Sequence, residues 1–109
     1  MQSLIATKVT IPDQTDLDYG EGWLEFEWLD SRFGREGLTI QLDGHCSRFM
    51  PIRSGCGLRD VQLSRDRILL SFEHSLAEKL ELDDQVEIVF QISDSDFSQL
   101  QQTVATYFA

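Results

Sequence analysis

Residues 54–92 read SGCGLRDVQLSRDRILLSFEHSLAEKLELDDQVEIVFQI, and their alternation decides the fold. After a Ser54-Gly55-Cys56-Gly57 turn, apolar and polar residues alternate through Val61 and Leu63. An Arg65-Asp66 turn follows, and the alternation resumes at Ile68, Leu70 and Phe72. The last run sets Val86, Ile88, Phe90 and Ile92 against Gln85, Glu87, Val89 and Gln91. Strand side chains point to opposite faces with period two, so each run predicts a strand with one buried face. Between the second and third runs, Ser75 to Leu82 predicts a short helix. Ser75 with Glu78 three residues on is a capping-box pattern, and Leu76, Ala77 and Leu80 share one side.

Upstream, residues 3–11 (SLIATKVTI) predict an edge strand that ends at Pro12. Residues 13–22 (DQTDLDYGEG) are acidic and turn-like and predict a loop. WLEFEWLD, residues 23–30, predicts a half-buried strand with Leu24, Phe26 and Trp28 inward and Trp23, Glu25 and Glu27 opposite. Residues 31–37 (SRFGREG) predict a connection, and Leu38, Ile40 and Leu42 point inward in the run after it. Residues 44–57 hold three glycines and a proline, which argue for a loop, while Phe49, Met50 and Ile52 argue for a short strand or a packed loop. Downstream, Ser93 is placed to cap a helix near 94–108, with Asp94 and Asp96 at the favourable end of its dipole. Phe97, Leu100, Val104, Tyr107 and Phe108 follow at helical spacing as its apolar stripe. The sum is a single α+β domain spanning 1–109. It has a mostly antiparallel sheet of about six strands, with the short helix near 75–82 and the C-terminal helix packed on one face.

Apolar residues make up 41%, a globular rather than a disordered composition. No run approaches the roughly 20 apolar residues of a membrane span, and MQSLIATKVT lacks a signal-peptide core. A cytoplasmic location without membrane contact is the expectation. The formal net charge of −10 is distributed unevenly. Residues 1–30 carry only Lys8 against seven carboxylates, whereas residues 31–72 carry seven arginines against four. So acidic a chain repels phosphates and is not expected to bind nucleic acid directly. It suits steering onto a basic partner, although solubility alone accounts for the charge as well.

Catalytic and metal chemistry find little support. His45, Cys46, Cys56 and His74 invite a metal reading, but the cysteines are ten apart and no knuckle spacing accompanies them. A cysteine–histidine nucleophile needs the pair brought together, and nothing in the sequence does so. The SGCG turn lacks the lysine and the following helix of a phosphate-binding loop, so its glycines predict positive φ or close packing instead. Tyr19, Trp23, Trp28 and Phe33 surround the acidic segment 13–30. Alternation sends Trp28 to the core and leaves Trp23 on the glutamate face. There it is either an aromatic anchor ringed by carboxylates or is covered by another element.

From about residue 38 onward the order of elements resembles one family of bacterial polymorphic-toxin immunity proteins, family ten. The resemblance rests on the SGCG turn leading into LRDVQLSRDRILLSF, the helix SLAEKLEL, the strand VEIVFQI and the closing helix SDFSQLQQTVATYF. Cys56 stands where that family often carries an aromatic, and the first 37 residues match only loosely. The resemblance implies a non-enzymatic protein that binds and neutralises a cognate toxin by occlusion, without cofactor or metal.

The residues expected to meet basic groups of such a toxin are Asp16, Asp18, Glu21, Glu25 and Glu27, with Tyr19 and Trp23 as anchors. The alternative is a small-ligand or regulatory domain, compatible with a homodimer, in which Arg48, Arg53 and Arg59 form an anion pocket. A third reading is an enzyme using Cys46 or Cys56.

Overall fold

Ala6 and Thr7 sit where the chain leaves one sheet for another. The Ala6 amide donates to the Val89 carbonyl at 2.8 Å, and the next amide, Thr7, donates to the Glu27 carbonyl at 2.7 Å. The segment expected to be one edge strand is therefore two, β1 (Gln2–Ile5) and β2 (Lys8–Thr10), each at the edge of its own sheet. This architecture comes from a computed structural model, which describes residues 1–30, 32, 34–49 and 53–108.

The remaining strands are β3 (Trp23–Asp30), β4 (Gly34–Gln41), β5 (Cys46–Arg48), β6 (Arg53–Gly55), β7 (Leu58–Ser64), β8 (Arg67–Phe72) and β9 (Gln85–Val89). The helices are α1 (Gln14–Tyr19), α2 (His74–Leu80) and α3 (Asp94–Tyr107). One sheet runs β1-β9-β8-β7 and the other β2-β3-β4-β5-β6. All pairings are antiparallel except β1 with β9. The α+β, mostly antiparallel architecture with a C-terminal helix is as expected, but the strands divide between two sheets. Their inner faces share one core: Leu24, Phe26, Trp28, Leu38 and Ile40 from one, Ile68, Leu70, Phe72, Val86, Ile88 and Phe90 from around the other. Phe26 and Phe90 stack across it with centroids 6.5 Å apart.

Several elements differ from expectation. Segment 13–22 contains α1 rather than a loop. Asp13 caps it, accepting from the Asp16 amide at 2.8 Å, while the Asp16 carboxylate accepts the Asp13 amide at 3.3 Å. Gly20 ends it in the left-handed region with φ +68°. The connection 31–37 is shorter than read, because β4 begins at Gly34. Within segment 44–57, Cys46–Arg48 and Arg53–Gly55 pair as β5 and β6; Phe33, Met50 and Ile52 lie outside the described residues. The anticipated Ser75/Glu78 capping box does not form. Helix α2 starts after Glu73, which makes no side-chain cap, and Ser75 lies inside the first turn. Leu76, Ala77 and Leu80 are buried as expected, and burial of that stripe rather than a cap sets the helix position.

Two glycines of the SGCG turn let α2 sit against the sheet. A Cβ on Gly55 would stand 3.1 Å from Leu76 Cδ1, and one on Gly57 (φ +136°) would stand 3.1 Å from Leu76 Cβ. The Ser93 cap forms as read, accepting from the Asp96 amide at 3.1 Å. Leu100 and Val104 of α3 are buried, with Phe97 and Phe108 packed at the core margin.

The inner face also holds a charge. Glu36, fully buried, lies opposite Trp28 in the β3–β4 register. Its carboxylate meets the Arg48 guanidinium at 3.1 Å, and Arg48 donates onward to the Leu80 and Glu81 carbonyls at 2.9 and 3.2 Å. Arg48→Ala strands that carboxylate and is expected to cost about 3–5 kcal/mol in urea unfolding. A Glu36→Leu/Arg48→Met double variant should lose less than Arg48→Ala alone; equal or greater loss would show that the pair itself supplies the stability.

Candidate functional site

The outer face of the five-stranded sheet carries the acidic segment. Alternation on β3 turns Trp23, Glu25 and Glu27 outward, and the preceding α1 carries Asp16, Asp18 and Tyr19, of which Asp16 lines a cleft with Trp23. What fixes α1 there is distant in sequence: Tyr107 at the end of α3 donates its hydroxyl to the Leu17 carbonyl at 2.7 Å, and Leu17 is buried beneath. Gly20 and Gly22, both at positive φ, then turn the chain from the helix into β3.

The seven expected residues are not equivalent. Trp23 is 49% exposed and Tyr19 77% exposed, so both are accessible aromatics. Asp18 and Glu21 are exposed, Asp16 and Glu25 partly so. Glu25 accepts from the Thr39 hydroxyl at 3.3 Å. Glu27 is different. It is only 6% exposed, with Arg35 at 3.5 Å and Lys8 at 3.9 Å, so internal cations already neutralise it and it presents little surface to a partner.

Two clefts flank Trp23. One, of about 270 Å³, is lined by Thr10, Ile11, Pro12, Asp16, Glu21, Gly22 and Trp23. The other, of about 310 Å³, runs from Gly20 through Trp23 to Gln41, Leu42 and Asp43. Asp43 joins the acidic rim unforeseen, since only the β3–β4 pairing of Trp23 with Gln41 carries it there.

Of the three arginines of the anion-pocket alternative, Arg48 and Arg53 are brought together, opposite each other across β5 and β6, and Arg59 lies apart. Arg48 is buried between Glu36 and the end of α2, its guanidinium 5.6 Å from the Trp28 ring centroid. Arg53 pairs with Glu81 and reaches Glu36 at 4.0 Å. Arg59 belongs to β7 in the other sheet. It lines an open cleft of about 930 Å³ together with Asp60, Ser71, His74, Asp83 and Asp84. Three carboxylates there face Arg59, the Met1 amino group and His74, with Met1 3.8 Å from Asp83 and His74 3.0 Å from Asp84, which is a poor setting for an anion.

The hairpin does bring a cysteine and a histidine together: Cys56 Sγ lies 3.5 Å from His45 Nδ1. The proximity follows from β5–β6 pairing, in which Cys46 faces Gly55, and was not legible from spacing. Among the described residues no group of three or more His, Cys, Asp or Glu is placed to hold a metal ion. Cys46 is buried in the core, and burial pushes its thiol up to about 12. In the folded protein iodoacetamide at neutral pH should therefore alkylate Cys56 alone, with Cys46 reacting only in denaturant; mass spectrometry reads both.

His74 donates through Nδ1 to Asp84 at 3.0 Å, with Glu78 at 3.9 Å from Nε2. The hydrogen bond to Asp84, then the Asp84 and Glu78 charges, raise its pKa above 6.5. A folded pKa above the unfolded one adds stability that is complete below the unfolded value and fades as pH rises through the folded one. The urea midpoint of the native chain should therefore exceed that of His74→Gln most below pH 6.5, and the gap should close at higher pH. A gap independent of pH would show that protonation of His74 contributes nothing.

No family model, curated protein or solved structure matches the chain. Among the described residues no helix is long and apolar enough to cross a membrane.

Proposed function

We propose that the chain is a non-enzymatic inhibitor of the immunity type, which binds a basic bacterial toxin through the acidic outer face of its five-stranded sheet and neutralises it by occlusion. The observation that carries this reading is Trp23. It is a half-exposed indole between two clefts whose rims bear Asp16, Glu21 and Asp43, with exposed Tyr19 and Asp18 on the adjoining helix.

Aromatic side chains provide anchoring area at low entropic cost, and surrounding carboxylates select a cationic partner and speed encounter. The net charge of −10 acts in the same direction at longer range. The contact set is Asp16, Asp18, Tyr19, Glu21, Trp23 and Glu25, without Glu27. The anion-binding alternative has less support, because Arg48 and Arg53 are engaged with Glu36 and Glu81.

The test is capture of a partner from the source cell, or of the product of an adjacent toxin-like gene, at low and high salt. A stoichiometric, salt-sensitive complex with a basic protein is expected, and Asp18→Lys/Glu25→Lys should slow its association by about tenfold or more. Absence of a complex at both salts, or a complex indifferent to the double reversal, would overturn the reading.

A further inference from the structure

We infer that the cleft between Pro12 and Trp23 is a receptor for the guanidinium of a single arginine on a partner protein. The inference rests on the acidic-face reading and names the chemistry that face would recognise.

At about 270 Å³ the cleft suits one long side chain. Trp23, Ile11 and Pro12 give it an apolar lining. Its rim is anionic, from Asp16 and Glu21. No lysine or arginine lines it, and among the described residues neither carboxylate forms an ion pair with one. One oxygen of Asp16 accepts the Asp13 amide at 3.3 Å.

Gly22 shapes the cleft. Its φ of +94° is unfavourable for any side chain, and a Cβ there would stand 3.2 Å from both Asp16 Cβ and Pro12 Cβ. The helix and the Pro12 turn therefore close on each other only because position 22 is bare.

A slot with an aromatic wall and a carboxylate rim distinguishes arginine from lysine. The guanidinium is planar, stacks on an indole and forks onto carboxylate, whereas ammonium is a compact, strongly hydrated point charge. The chain already uses this combination once. On the inner side of β3, the Arg48 guanidinium lies 5.6 Å from the Trp28 ring centroid and 3.1 Å from the Glu36 carboxylate. Trp23, Asp16 and Glu21 repeat the aromatic and the carboxylate at the other end of the same strand, with the cation left to come from outside.

The test titrates ¹⁵N-labelled protein at low salt with an acetylated, amidated Gly-Arg-Gly tripeptide, and with its lysine and citrulline counterparts. Saturable shifts are expected at the Trp23 indole N–H and the Gly22 and Glu21 amides, with arginine binding tighter than lysine and citrulline silent. Trp23→Ala should weaken arginine binding by about threefold to thirtyfold. Glu21→Gln is an exposed substitution that keeps the fold and should weaken arginine binding too. Equal affinity for lysine, shifts confined to Asp18 and Tyr19, or no shifts at all would each overturn the inference. The acidic-face reading is judged separately, because Asp18 and Glu25 do not line this cleft.

Discussion

The buried pair of Glu36 and Arg48 is the constraint on which the rest of the arrangement depends. A carboxylate on the inner face of a sheet is tolerable only when a cation meets it and further hydrogen bonds satisfy both partners. Arg48 supplies the cation from β5 and takes the last carbonyls of α2, while Glu36 Oε2 and Arg48 Nε are left without a hydrogen bond among the described residues. One guanidinium thus joins the β3–β4 hairpin, the β5–β6 hairpin and the helix end. Helix α2 stops at Leu80 for the same reason. Glu81 takes a left-handed conformation, φ +55°, normally unfavourable outside glycine. Its carbonyl accepts from Arg48 and its carboxylate pairs with Arg53. A polar network of this kind contributes position more than net stability.

With the inner face held that way, the outer face of the same sheet is free to carry charge. Its carboxylates divide into two kinds. Glu27, crossed by Lys8 and Arg35, is balanced within the domain. Asp18 and Glu21 are exposed, and neither forms an ion pair among the described residues. Trp23 stands beside them because it occupies the first position of β3, where the chain emerges from the Gly20–Gly22 turn and α1 does not cover it. The candidate surface is a composite of segment 12–23, Asp43 from the end of the β4 run, and Tyr107, which fixes α1 from below.

Period-two alternation made β3, β7, β8 and β9 legible, because one face of each is buried, or half-buried in β7, and a register slip would expose it. Phe26, Leu38, Ile68 and Val86, all read as inward, are fully buried. Helix α1 was missed although its Asp13 and Asp16 form a capping box, since aspartates and glycines in a short segment signal a turn equally well. The Ser75 cap failed in the opposite direction: the motif was present, but burial of Leu76, Ala77 and Leu80 set the N-cap at Glu73, two residues earlier. For the candidate site, the aromatic and acidic residues were readable as composition, and the distinction between Glu25 and Glu27 was not. That difference lies in Lys8 and Arg35, which reach Glu27 only through strand pairing.

By itself, then, the amino-acid order determined β3, β7, β8 and β9, the apolar face of each, the Ser93-capped final helix and the acidic character of the first thirty residues. These are local properties, set by side-chain period, turn chemistry and charge. Only the tertiary structure decided that the strands form two sheets, that Arg48 and Arg53 pair with Glu36 and Glu81, and that His45 meets Cys56. It also decided that Trp23 stands between two clefts. Each of these joins residues far apart in the chain. Such contacts are settled by burial and pairing across the whole domain, and no local pattern encodes them.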